Sequence, residues 1–129
     1  MKIKSKKSLA VSLSRLKTFK APDLKLEQYP TDSEIAAEVL WFAYLNHDIK
    51  SNVISDLGAG TGILGIGCLM LDAGKVYFVE KDSDALNVLK DNLKEYKKDN
   101  YEIIEDDILK FKKKVGVIVQ NPPFGTKNK

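Results

Sequence analysis

Cysteine is nearly absent from this chain: Cys68 is the only one in 129 residues. An intrachain disulfide and a cysteine-built zinc cluster are both excluded. Cys68 falls within Gly67-Cys68-Leu69-Met70, where it reads as a small core residue of an apolar helix. Histidine is as scarce. His47, the only one, follows the end of a predicted helix, which suits a surface or terminal role better than a catalytic one. Long apolar runs are missing as well. None approaches the roughly 18 residues of a membrane span, and Leu9-Ala10-Val11 is too short and too interrupted by Ser12 and Arg15 for a signal peptide. A soluble, cytoplasmic protein is the expectation. Acids are scarce at one end only: residues 1–25 carry eight Lys and Arg against the single acid Asp23. Such a segment suits neutralisation of phosphates, or simply solubility. The chain as a whole is only mildly basic, with net charge +3 and pI near 8.8, which is not by itself a nucleic-acid signature.

With 43% apolar residues, the chain is long enough for one domain with a modest core. Leu9, Leu13 and Leu16 recur at helical spacing with Phe19 close to the same face, predicting a basic amphipathic helix that ends before Pro22. Thr31 and Glu34 fit a capping box. The helix they open runs to about Asn46, with Ile35, Val39, Leu40, Phe42 and Ala43 towards its buried side. From Asn52 the pattern becomes strand–loop–helix. Strands are expected at Val53–Leu57, Val76–Val79, Tyr101–Ile104 and Val115–Val119, and helices from the glycine loop to Leu71 and from Asp84 to Lys97. Alternation of this kind, with continuous apolar strands, implies an α/β doubly wound parallel sheet covered on both faces. Ligands of such sheets sit at the carboxyl ends of the strands.

Two motifs fall at those ends. The first is Asp56-Leu57-Gly58-Ala59-Gly60-Thr61-Gly62, between a strand and a helix. Glycines there let backbone amides approach a ligand, and the helix N-terminus behind them favours an anion. Gly60-Thr61-Gly62-Ile63-Leu64-Gly65 also matches the dinucleotide fingerprint, with Glu80 about 20 residues on, so the loop alone does not choose a cofactor. The second motif is Asn121-Pro122-Pro123-Phe124, directly after the fourth strand. Two prolines hold the chain extended and would present the Asn121 amide, the Pro122 carbonyl and the Phe124 ring to one place. Two acceptors and an aromatic face can grip a planar group bearing an NH2, which suits methyl transfer to an exocyclic nitrogen.

Taken together with Leu26-Glu27-Gln28-Tyr29-Pro30-Thr31 and with Gly125-Thr126-Lys127 after the second motif, these stretches resemble the archaeal and eukaryotic adenine-N6 methyltransferases of ribosomal RNA. The resemblance runs from about Leu24 onward. It implies a Rossmann-like class I methyltransferase fold, S-adenosylmethionine as cofactor and RNA as partner. It also raises the possibility of a small zinc-binding activator protein, since eukaryotic members work with one. Residues 1–25 would be a basic N-terminal segment, and 26–129 the S-adenosylmethionine-binding domain. That family continues for several strands beyond the second motif. The fold is therefore expected to be truncated after the fourth strand, with an unpaired edge that invites self-association and with weak or absent transfer by the chain alone.

By the same resemblance, Gln28, Thr31, Gly58, Thr61 and Ile63 contact the cofactor. The remaining loop positions Asp56, Gly60 and Gly62 join them. Glu80, at the end of the second strand, can accept from both ribose hydroxyls. After the third strand, Asp107, preferred to Asp106, can accept from the adenine amine while Ile108 packs on the ring. No metal ligand set is expected. Asn121, Pro122, Pro123 and Phe124 form the expected catalytic group. Two other readings remain: methylation of a glutamine side chain in a translation factor, which uses a similar motif usually ending in Tyr, and an inactive cofactor-binding interaction module.

Overall fold

The computed structural model describes residues 3–18, 32–94 and 96–120. Phe19, Gln28, Thr31 and Asn121 to Phe124 lie outside them.

Four strands form one parallel sheet in the order β3-β2-β1-β4, with β1 at Val53–Leu57, β2 at Lys75–Glu80, β3 at Tyr101–Glu105 and β4 at Val117–Gln120. Parallel neighbours need crossovers. Helix α3 (Ile63–Met70) carries the chain from β1 to β2, and α4 (Ser83–Leu93) from β2 to β3. The α/β Rossmann-like arrangement read from the sequence is therefore present. Residues alternate across the sheet. Ile54, Val76 and Phe78 point to the helices and are fully buried with Ile66, Leu69, Leu86 and Leu89. Phe78 meets Tyr101 edge-on, with ring centroids 6.1 Å apart. Burying side chains of this size contributes about 1.5–3 kcal/mol each.

The second face differs from expectation. Its cover among the described residues is the connection between β3 and β4, whose one regular element is a 3-10 turn at Ile108–Lys110. A crossover with four lysines between Ile108 and Gly116 has too few apolar positions to build a helix that could bury a face. It is pinned by Phe111, whose ring lies 5.7 Å from that of Tyr77 on β2.

Two helices precede the sheet. In α1 (Lys6–Ser14), Ser5 and Ser8 form a reciprocal capping box, and Leu9 and Leu13 enter the common core. Leu16 lies beyond this helix, although it still packs against the core. Helix α2 (Ser33–Leu45) is capped by Asp32 rather than Thr31. The Asp32 carboxylate accepts from the amides of Glu34 at 2.7 Å and Ile35 at 3.2 Å, and its charge favours a helix N-terminus. The buried side of α2 is only partly the one expected, with Leu40 and Ala43 against the core as foreseen. Ala36, Ala37 and Leu40 are buried, whereas Ile35, Val39 and Phe42 are more than half exposed. Small residues win this contact because the helices approach closely: a Cβ at Gly67 of α3 would collide with Leu40. Helix α4 stops at Leu93, short of Lys97, and Tyr96 beyond it donates to Asn100 Oδ1 at 2.7 Å.

Candidate active site at the strand tips

Leu57 ends β1, and the chain turns through Gly58, Gly60 and Gly62, all at positive φ. At Gly62 (φ 95°) the backbone is left-handed and a Cβ would also run into Leu89 of α4, so only glycine fits. The loop is tied to β2. Gly58 N and Ala59 N donate to Val79 O at 2.8 and 3.0 Å, and Gly60 N donates to Glu80 Oε1 at 2.7 Å. Glu80 Oε2 accepts from Lys81 N at 3.1 Å and Asp82 N at 3.0 Å. One carboxylate thus joins the glycine loop to the start of α4. Each carboxylate oxygen has two lone pairs, so Oε1 retains accepting capacity.

Helix α3 begins with no side-chain cap on Gly62, and its first intrahelical bond runs from Ile66 N to Gly62 O at 2.8 Å. The amides of Ile63 and Leu64 precede that bond and carry the helix's partial positive charge. Gly65 N is taken by Asp56 Oδ2 at 2.9 Å. Asp56 itself is 1% exposed, beneath the loop rather than at its surface. Burial pushes its carboxyl up to about 7. The Gly65 hydrogen bond opposes this rise and the nearby Glu80 charge adds to it. Gly65 is required here, because a Cβ would collide with the Phe78 ring and crowd the Asp56 carboxylate. Thr61 is buried and Ile63 half-buried. Burial, with a contribution from the Asp56 charge, holds the Cys68 thiol protonated, as expected of a core cysteine.

At the tip of β3, Glu105 pairs in register with Glu80, and Asp106 N donates to Glu80 O at 3.2 Å. Asp107 is half-buried and caps the 3-10 turn, its Oδ1 accepting from Leu109 N at 2.9 Å. Ile108 beside it is half-buried, while Asp106 is exposed. The tips of β1, β2 and β3 therefore bring the glycine loop, Glu80, Asp107 and Ile108 to one end of the sheet. On β4, Gln120 pairs with Leu57, so the residue before Asn121 lies beside the start of the loop. His47 is exposed at the end of α2, ahead of β1 and away from this end.

One residue escaped the sequence reading. Asn92 Nδ2 donates to Thr61 O at 2.9 Å and to Lys17 O at 3.0 Å, while its Oδ1 accepts from Lys17 N at 2.7 Å. It fastens the glycine loop and the segment after α1 to α4. Its signal was an amide placed among the buried leucines of an amphipathic helix, next to Leu93 and one turn from Leu89.

Comparison with known proteins agrees with the fold. The family profile described as methyltransferase small domain matches residues 31–129. A zebrafish (Danio rerio) rRNA N(6)-adenosine-methyltransferase is 35% identical, over 95% of this chain and 61% of its own length. Its Drosophila melanogaster counterpart is 35% identical, over 85% of this chain and 54% of its own. A solved structure from Pyrococcus horikoshii, proposed to be an RNA methyltransferase, superposes with a TM-score of 0.90 at 45% identity, covering 98% of this chain and 62% of its own. The chain thus spans about three-fifths of the length of these relatives.

Proposed function

Because the chain belongs to the methyltransferase small-domain family, we propose that it binds S-adenosylmethionine at the strand tips and serves N6-methylation of adenosine in RNA, most specifically ribosomal RNA. The observation that carries this reading is the bond from Gly60 N to Glu80 Oε1, which joins the anion-favouring loop to a carboxylate with accepting capacity to spare. The donor set fits the cofactor. Amides at the start of α3 suit the methionine carboxylate, with Gly58, Gly60, Thr61, Gly62 and Ile63 shaping that pocket. Glu80 suits the two ribose hydroxyls, and Asp107 the adenine amine, with Ile108 against the ring. Asp56 acts through Gly65, fixing the first turn of α3. Gln28 and Thr31 are assigned to the same cofactor by resemblance.

The cofactor supplies an activated methyl group on a sulfonium, so the protein's work is position and electrostatics. Asn121 Oδ1 and the Pro122 carbonyl accept the two hydrogens of the target amine, draw them from the ring plane and free the nitrogen lone pair. These acceptors stabilise positive charge as it develops on nitrogen. Pro123 would favour an extended segment through its ring, and Phe124 would stack on the unstacked base, worth about 1–3 kcal/mol. No strong base is needed, because the extra proton would pass to water once the methyl had moved from sulfur to nitrogen. Residues 26–129 form the cofactor-binding unit in this reading, and a small zinc-binding activator is a candidate partner. Titration calorimetry with S-adenosylhomocysteine and with NAD tests the assignment. Binding of the first without the second is expected, and tight NAD binding with no response to S-adenosylhomocysteine would sink it.

A further inference from the structure

The connection from β3 to β4 carries Lys110, Lys112, Lys113 and Lys114 with no acid between Ile108 and Gly116. All four are exposed, and none forms an ion pair among the described residues. Unpaired cations on a mobile loop would mean little, but this segment is held at three points. Asp107 caps its 3-10 turn, the Phe111 ring packs on Tyr77, and Gly116 N donates to Val53 O at 2.8 Å. The lysines therefore radiate from a fixed backbone. Ile104, Lys110, Phe111, Lys112 and Lys113 line a groove of about 410 Å³. Lys113 also reaches over the Tyr77 ring, 5.9 Å from its centroid. The groove starts three residues from Asp107, the residue assigned to the adenine amine, and runs along the sheet face opposite α3 and α4.

We propose that this lysine-lined groove is a docking surface for the phosphodiester backbone of the RNA substrate. The proposal rests on the reading of the protein as an enzyme of RNA. Charge complementarity carries it: a row of exposed cations on a held backbone, none in an ion pair among the described residues, matches a chain of phosphates. The half-buried Phe111 supplies an apolar wall between the cations. Ile104, one residue before the end of β3, lines the groove at its other side, so a strand bound here can continue towards the cofactor end of the sheet.

The test compares two triple variants with the same change of net charge. Lys110→Ala/Lys112→Ala/Lys113→Ala empties the groove of charge, and Lys90→Ala/Lys97→Ala/Lys98→Ala removes exposed lysines from α4 and the stretch after it. Binding of a fluorescein-labelled single-stranded oligoribonucleotide is followed by anisotropy over a series of salt concentrations. The slope of log K against log salt should become shallower by about 2 in the groove variant, the value for three lost phosphate contacts on a single strand, and stay unchanged in the control. Equal slopes in the two variants, or a wild-type chain that binds no RNA, overturn the proposal. S-adenosylhomocysteine affinity, measured in parallel, should be unchanged in both variants. Its absence in the wild type would overturn the cofactor reading instead, so the two failures are distinguishable.

Discussion

Glu80 and Asp56 are both carboxylates at the loop end of the sheet, yet their surroundings give them opposite duties. Glu80 is half-buried and accepts three backbone amides. Glu80→Ala should weaken S-adenosylhomocysteine binding by about 1.5–3 kcal/mol, the range for a lost charged hydrogen bond, as read by calorimetry. An unchanged affinity would remove Glu80 from the site. Asp56 is buried, with its carboxyl raised from 3.8 to about 7. Between those values the folded protein holds a proton that the unfolded chain releases. The associated stability is complete below about pH 4 and is lost as pH rises through about 7. Asp56→Asn keeps an acceptor for Gly65 N and removes the ionisation. Urea unfolding should show wild-type stability falling across about pH 4 to 7 relative to the variant. Parallel pH profiles would mean that Asp56 ionises at the same pH in the folded and unfolded states and that burial does not raise it.

Elements were legible from sequence where apolar runs and glycines dominated. The four strands, the turn at Gly58 to Gly62 and the buried Leu86, Leu89 and Leu93 of α4 follow from periodicity and turn chemistry. The orientation of α2 did not, because it is apolar on more than one side and its buried face is set by how closely α1 and α3 approach. That closeness depends on Gly67 and Ala37, whose small size carries no periodic signal. Asn92 showed only as an amide beside buried leucines, because its partners are backbone atoms 31 and 75 residues away, and no local pattern encodes them. Within the site, the strand-tip positions were readable because an α/β sheet dictates where ligands go, whereas Asn121 to Phe124 lie outside the described residues. Asn92 also yields a prediction for the elements it joins. Asn92→Asp keeps the acceptor for Lys17 N but loses the donor to Thr61 O. Amide exchange at Gly60 and Thr61 should accelerate and S-adenosylhomocysteine affinity should fall. Unchanged exchange in the loop would show that α4 does not hold it.

At the scale of the molecule, basic charge lies on both sides of the sheet. The basic α1 segment lies with the helices, and the Lys110–Lys114 row lies on the opposite side of the sheet. Between them runs β4, which among the described residues pairs only with β1 and whose Ile118 is 58% exposed. A parallel strand with one partner presents a row of backbone donors and acceptors, and a bare isoleucine beside them adds an apolar attraction. The 129-residue chain should therefore self-associate as its concentration rises, which sedimentation velocity over a concentration series would reveal. Ile118→Lys places on the edge strand the residue type that commonly blocks strand pairing, and should return the chain to a monomer with its S-adenosylhomocysteine affinity intact. A wild-type chain that stays monomeric at every concentration would show that this edge does not pair between copies. Association that survives Ile118→Lys would move the interface elsewhere, with the exposed Ile35, Val39 and Phe42 of α2 as the next surface to alter.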